Sequence, residues 1–313
     1  MTGTSGGGFA LMSEAVGLAS MTETPVVIVE VQRGGPSTGL STKTEQSDLF
    51  QVLGAGQGDY PKAVLAPATV EEAFSFAALS FNIAEECQMP VILVSDLSLS
   101  EHHETVEGIR LQVPLQRGAY ATLPSASPAG FRRYALTENG VSPRSVPGQE
   151  GLEFTAVSDE HDERGDTISD VRADPVLRTR MMDKRLRKLR TAAAMLPPVR
   201  LEGPPEAELT LVCWGSTYPL LLHLMERLNE GKRERVNLLC LRSLWPFPWR
   251  EVSDILYASR KTLAVEGSAT AQLCRLIRQE TGYYIPRRFL KYDGEPFYPG
   301  STLLSIEEAL RHG

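Results

Sequence analysis

Apolar residues recur along the chain in two rhythms: short unbroken runs bounded by turn residues, and longer segments in which they return every three or four positions. Pro25-Val26-Val27-Ile28-Val29, Ala63 to Ala66 and Pro90-Val91-Ile92-Leu93-Val94 are of the first kind, the signature of strands buried on both faces of a parallel sheet. Val70 to Cys87 is of the second kind and predicts a helix with Phe74, Ala77, Ala78 and Phe81 on one face. Thr69, followed three residues later by Glu72, marks its start as a capping box. Phe9 to Met21 reads as an amphipathic stretch opening at the turn Thr4-Ser5-Gly6-Gly7-Gly8.

From about Leu111 to Pro205 the rhythm fades into prolines, glycines and charges, broken by one basic helix, Met181 to Met195, that Pro197-Pro198 ends. Its Leu186 and Leu189 lie on one side with the charges elsewhere, so a solvated helix is expected. The alternation then returns. Strands are predicted at Leu209 to Trp214, Val236 to Leu241 and Thr262 to Glu266. Helices follow them: one capped by Ser216 or Thr217 and running through Leu228, one from Trp249 to Ala258, and one from Ala269 to Glu280 before Gly282. Ser305 and Glu308 form a capping box for a short last helix. The fold class is α/β: a parallel-sheet domain over 1–110, a connector over 111–205, and a compact doubly wound domain over 206–313.

At 313 residues the chain exceeds the usual size of one domain, in keeping with two. Its longest apolar runs are strand-sized, and Met1-Thr2-Gly3 lacks the basic and apolar regions of a signal peptide, so a cytoplasmic protein is expected. Cys87, Cys213, Cys240 and Cys274 are widely spaced in apolar or helical contexts and read as reduced core thiols. With no Cys-x-x-Cys pair, cysteine alone gives this chain neither an iron–sulfur nor a zinc site. A net charge of −7 argues against nucleic acid as the main partner.

The chemistry concentrates where the first long strand ends. Val31-Gln32-Arg33-Gly34-Gly35-Pro36-Ser37-Thr38-Gly39 places a guanidinium, backbone amides and hydroxyls at the carboxyl end of a strand, where open α/β sheets bind anions. A guanidinium fork grips a carboxylate through two parallel charge-assisted bonds, so Arg33 and Gly34 are the candidate substrate-binding residues; the alternative is an ion pair between Arg33 and Glu30 or Glu45. Thr4, Ser5 and Gly6 lie at a helix start where the dipole favours negative charge, with a plain tight turn and N-cap as the alternative; they become the candidate cofactor-binding residues through the resemblance described next. Ser158-Asp159-Glu160-His161-Asp162 crowds potential metal ligands, but consecutive residues in a loop seldom face one ion, and a polar loop is expected there. His102-His103 reads as an exposed pair.

The segment from Thr4 to Leu49 resembles the α subunit of 2-oxoacid:ferredoxin oxidoreductases, of the 2-oxoglutarate type. So do Tyr134 to Gly148, Ser158 to Gly165, Trp214 to Pro219, Leu244 to Pro248 and Leu290 to Phe297, in the family's order and across nearly the whole chain. The resemblance implies a pyrimidine-binding-type domain of a thiamine diphosphate enzyme followed by a transketolase C-terminal-like domain. It implies Arg33 as the substrate-carboxylate arginine and the Thr4–Gly8 turn beside the cofactor's pyrimidine. Coenzyme A as co-substrate, ferredoxin as acceptor, and a β subunit carrying thiamine diphosphate, Mg²⁺ and a [4Fe–4S] cluster complete that expectation.

No Gly-Asp-Gly motif is present, since Gly58-Asp59 and Gly165-Asp166 both lack the third glycine, so the diphosphate half is expected on the partner. The family's Tyr-Pro-Ile-Thr-Pro motif and the acid that activates the aminopyrimidine lie before the position matching Thr4. The expectation is therefore a chain lacking its amino-terminal part, either a fragment or one completed by another polypeptide, with an unpaired sheet edge. A non-catalytic assembly subunit and a transketolase-like protein that works without ferredoxin are the competing readings.

Overall fold

The computed structural model describes residues 1–107, 109, 114–121, 130–168, 174–231 and 235–311. In chain order the elements are β1 (Thr2–Thr4), α1 (Gly6–Leu11), α2 (Ser13–Met21), β2 (Val26–Gln32), α3 (Leu49–Leu53), β3 (Ala63–Leu65), α4 (Val70–Cys87), β4 (Pro90–Asp96), α5 (Leu97–Ser100) and α6 (Pro175–Met195). They continue with β5 (Leu201–Glu202), β6 (Leu209–Trp214), α7 (Tyr218–Leu228), β7 (Val236–Leu241), β8 (Ser243–Trp245), α8 (Trp249–Ala258), β9 (Thr262–Glu266), α9 (Gln272–Thr281), β10 (Arg287–Leu290) and α10 (Pro299–Arg311).

Two mixed, mostly parallel sheets result, in the orders β1-β2-β4-β3-β8 and β10-β9-β6-β7-β5. Only β8 and β5 run antiparallel to their neighbours. The first sheet draws its last strand from the carboxy-terminal half, and Ala66 N donates to Arg242 O at 2.8 Å just beyond it. One apolar cluster is shared as well: Phe9, Ile28, Leu49 and Ile92 belong to the same buried group as Val212, Leu239, Leu273 and Ile277. Packing thus crosses the segments drawn from sequence. The expected boundary at residue 110 lies outside the described residues. All four cysteines are free and buried, and among the described residues no helix is long and apolar enough to cross a membrane.

Helix α4 has the expected limits but not the expected orientation. Phe76, Ser80, Ile83, Ala84 and Cys87 face inward, while Phe74 and Phe81 are exposed. Small residues recur on both sides of this helix, so the two phenylalanines mis-set its phase. The first half of the capping box holds, with Thr69 Oγ1 accepting from Glu72 N at 3.1 Å, while Glu72 Oε2 accepts from Ala68 N at 2.8 Å, one residue before the N-cap.

The larger correction is α6. It begins at Pro175, with Asp174 Oδ1 accepting from Val176 N and Leu177 N, and its inner face is cationic rather than solvated. Lys184, Arg185 and Lys188 are buried beside Met181 and Ala192. Glu23, also fully buried, explains this, because its carboxylate meets Lys184 Nζ at 2.5 Å and Lys188 Nζ at 2.8 Å. Arg133 Nη2 donates to Glu23 O at 2.8 Å, and Glu160 pairs with Arg185 and Arg178. Burial raises the Glu23 carboxyl, and the two ammonium groups more than offset this, holding it down to about 2.

Several helix starts differ in detail, among them α9, which opens at Gln272 rather than Ala269. Phe9 to Met21 breaks at Met12 into α1 and α2. Thr217 caps nothing, because its Oγ1 donates back to Trp214 O at 2.7 Å and a short 3₁₀ turn precedes α7. Ser305 lies inside α10, which starts at Pro299.

Candidate active site

Strand β2 lies between β1 and β4, with Thr4 opposite Glu30 and Gln32 opposite Asp96. Period-2 alternation puts Ile28, Glu30 and Gln32 on one face of the sheet, all buried. The strand therefore runs from an apolar core into a polar end. Beyond Gln32 the chain doubles back: Gly34 bridges Leu40 antiparallel, and Gly34 N donates to Lys43 O at 2.9 Å. Gly39 sits at φ +49° against Gly34 O, where a side chain would strain the backbone and strike that carbonyl.

The return limb is locked by Gln46. Its Nε2 donates to Asp96 Oδ2 at 3.1 Å and to Trp214 O at 3.0 Å, and its Oε1 accepts from Gly267 N at 2.9 Å. The loop is thereby tied to the carboxyl ends of β4, β6 and β9 together. Gln32 acts similarly closer in, accepting from Asp48 N at 3.0 Å and donating to Ser95 O at 3.3 Å.

These constraints frame a cleft of about 520 Å³ lined by Gly6, Gly8, Arg33, Ser37, Thr38 and Asp48 among others. Arg33 lies half-buried in its wall, with Nη1 donating to Ser41 O at 3.4 Å. It makes no ion pair among the described residues, so the alternative of a bond to Glu30 or Glu45 is not observed. Gly6 is buried against Asp48, and a Cβ there would collide with the Asp48 carboxyl.

The remaining expected residues are close by but turned to other work. Thr4 Oγ1 donates to Ser5 O at 3.1 Å and occupies the space a Cβ on Gly8 would need. Ser5 O accepts from Phe9 N at 2.8 Å, and its side chain makes no capping bond to α1. Gly34 shapes the turn and has its amide engaged by Lys43, so it presents no free N–H to a ligand.

Behind the cleft stand three acids, Glu30, Asp48 and Asp96, of which the sequence pointed only to Glu30, and then only as a possible partner of Arg33. Glu30 is 0% exposed, and no donor reaches either of its carboxyl oxygens. Burial first, then the neighbouring Asp48 and Asp96, push it up to about 9. Burial also raises Asp48 and Asp96; hydrogen bonds from Ser216, Leu99 and Gln46 partly offset the rise in Asp96. For Glu30 and Asp96 the signal in the sequence is an acid near the end of an apolar strand, a position where an unpaired charge is costly, whereas Asp48 precedes α3 and carries no such signal.

The Ser158–Asp162 loop is a structural clasp. Its His161 is buried against Tyr134, with ring centroids 4.1 Å apart, and burial lowers its pKa. Among the described residues no group of three or more His, Cys, Asp or Glu side chains is placed to hold a metal ion. His102 is exposed and pairs with Glu104 at 3.0 Å.

The model of the pyruvate flavodoxin/ferredoxin oxidoreductase thiamine diphosphate-binding family matches residues 1–177. The chain is 36% identical over 312 residues to subunit α of 2-oxoacid:ferredoxin oxidoreductase 1 from Sulfurisphaera tokodaii, covering 99% of this chain and 48% of that protein. It is 39% identical over 319 residues to subunit α of the Aeropyrum pernix 2-oxoacid:ferredoxin oxidoreductase 2, again covering 48% of the relative. The chain belongs to the 2-oxoacid:ferredoxin oxidoreductase α-subunit family.

Another member of the family is the 2-oxoglutarate synthase subunit KorA of Methanothermobacter thermautotrophicus, 33% identical over 308 residues, covering 98% of this chain and 79% of that protein. Among solved structures, the 2-oxoglutarate:ferredoxin oxidoreductase of Magnetococcus marinus with 2-oxoglutarate, coenzyme A and succinyl-CoA bound superposes with a TM-score of 0.91 at 34% identity, over 99% of this chain and 53% of that one. The chain thus spans about half the length of the first curated relatives it matches.

Proposed function

We propose that this chain is the part of a 2-oxoacid:ferredoxin oxidoreductase α subunit that holds the keto acid, in a complex converting a 2-oxoacid such as 2-oxoglutarate, with coenzyme A and oxidised ferredoxin, to acyl-CoA, CO₂ and reduced ferredoxin. The observation that carries the reading is Arg33, a guanidinium without a carboxylate partner among the described residues, facing a cleft at the carboxyl end of β2. The bound 2-oxoglutarate and coenzyme A named for the Magnetococcus marinus enzyme support the same substrate class.

The cleft fits the pyrimidine side of a thiamine diphosphate site in its donor set: Arg33, the glycine turn and a carboxyl at Asp48. The described residues supply no carboxylate cluster for Mg²⁺, and the sequence has no Gly-Asp-Gly. We therefore assign the diphosphate, Mg²⁺ and a [4Fe–4S] cluster to a β subunit. When bound, thiamine diphosphate supplies the carbon nucleophile and the electron store that the decarboxylation needs.

This chain's residues would do the rest. Arg33 orients the substrate carboxylate through a bidentate pair, Gly6 and its neighbours pack against the cofactor with Thr4 and Ser5 behind them, and the Gln46 lock keeps the wall in place. The segments 1–110 and 206–313 act as the pyrimidine-side and transketolase C-terminal-like units, in a cytoplasmic complex. Co-expression with a β subunit tests this: a brown complex that reduces viologen with 2-oxoacid, coenzyme A and thiamine diphosphate supports it. A colourless complex indifferent to thiamine diphosphate overturns it.

A further inference from the structure

We propose that Glu30 and Asp48 share one proton and hold it at the wall of the Arg33 cleft, with Asp48 as the member that passes it to an oxyanion or a basic ring nitrogen of a bound ligand. The role in the cleft rests on the function proposed above; the shared proton does not.

The geometry leaves Glu30 few alternatives. Its side chain lies on the buried face of β2, where among the described residues no N–H or hydroxyl donates to either oxygen, and the neighbouring carboxyl of Asp48 is left to bond it. Gln32, next on that face, is committed to Asp48 N and Ser95 O, and the strand partner on the β1 side is the uncharged Thr4. The titratable groups beside Glu30 are acids: Asp48 at the start of α3, and Asp96 at the end of β4. Asp48 in turn faces Glu45. A carboxylate surrounded only by carboxyls and apolar atoms retains a proton.

Asp96 is not the one that retains it. It accepts from Gln46 Nε2, from Leu99 N at 3.1 Å and from Ser216 N at 3.3 Å, bonds that suit the ionised form. Asp48 is placed differently. It occupies the N-cap position of α3 yet makes no capping bond to that helix, and its carboxyl is turned onto Gly6 in the cleft wall. Its backbone N–H is bonded to Gln32, next to Glu30 on the same face of β2, while its carboxyl reaches Gly6 two residues beyond Thr4, the strand partner of Glu30, at the cleft wall; this placement makes it the bridge.

The transfer balances within the pair. The one proton crosses the pair: the Glu30 O–H bond breaks as an Asp48 O–H bond forms, and that bond breaks in turn as the proton passes to the ligand acceptor, leaving two carboxylates until a proton returns through the cleft. Glu30 is thus a positioning residue that acts through Asp48.

The test uses the assembled complex with its β subunit. In pH-difference infrared spectra a protonated-carboxyl C=O band is expected near neutral pH, absent in Glu30→Gln and displaced in Asp48→Asn. With 2-oxoglutarate as the probe, Glu30→Gln is expected to move the alkaline limb of the kcat profile and lower kcat by about 10²-fold. The KM for 2-oxoglutarate should stay within about twofold, because the Arg33 carboxylate contact is untouched. A band that survives in Glu30→Gln, or an alkaline limb that does not move, overturns the proposal. If Arg33→Ala is silent while the band is lost and the limb shifts, the keto-acid reading of Arg33 fails and the proton pair stands.

Discussion

Gln46 and Gly267 exchange two hydrogen bonds, Gln46 N to Gly267 O at 2.6 Å and Gly267 N to Gln46 Oε1 at 2.9 Å, so a loop of the first sheet is stitched to the end of a strand in the second. Gln46→Ala strands Gly267 N and removes a donor from Asp96 and Trp214 O. A loss of about 2–4 kcal/mol is expected in the denaturant midpoint of the chain, from buried groups left without partners.

Arg33→Ala should lower kcat/KM for the 2-oxoacid by roughly 10- to 100-fold in the assembled enzyme, the value of a charge-assisted bidentate contact. Arg33→Lys should recover only part, since an ammonium keeps the charge without the fork. Steady-state kinetics on both variants reads this; equal rates in all three would remove Arg33 from the substrate.

Glu23→Gln leaves Lys184 and Lys188 buried without a carboxylate and should cost about 3–5 kcal/mol. Its pH dependence has a definite sign. The folded-state value, about 2, lies below the ordinary 4.5, so the contribution of Glu23 is present above 4.5 and lost as pH falls from there toward 2. Acid titration of the denaturation midpoint should show wild type declining across that window and the variant changing less.

Glu30 carries the opposite sign. Its folded-state value, about 9, lies above 4.5, so the stability it contributes is full below 4.5 and lost as pH rises through 9. Glu30→Gln, which mimics the protonated side chain, should gain thermal stability relative to wild type as pH climbs across that interval. A constant difference in Tm between the two proteins would contradict a buried, protonated Glu30.

Much of the scaffold was legible because its long strands are mostly apolar and α9 ends at a glycine. Leu209–Trp214, Val236–Leu241 and Thr262–Glu266 fall where the pattern puts them, and Gly282 closes α9 in the left-handed conformation. The short edge strands β1 and β5 carry too few residues for a period to register. The orientation of α6 was illegible for a different reason: hydropathy assigns lysine to solvent, and only the tertiary position of Glu23 reverses that. At the site, Arg33 and Gly6 stood out by residue type and turn context. Glu30, Asp48 and Gln46 matter through partners brought together by the fold, which no local window contains.

Because one carboxylate anchors two lysines 161 and 165 positions away, α6 has no inexpensive way to peel from α4 a turn at a time. Detaching its middle turns abandons charges in an apolar setting, so the helix and the corner between α2 and β2 behave as a single cooperative foldon. Amide hydrogens of the two segments would then exchange through one opening event with a common free energy, although the chain between them is longer than many domains.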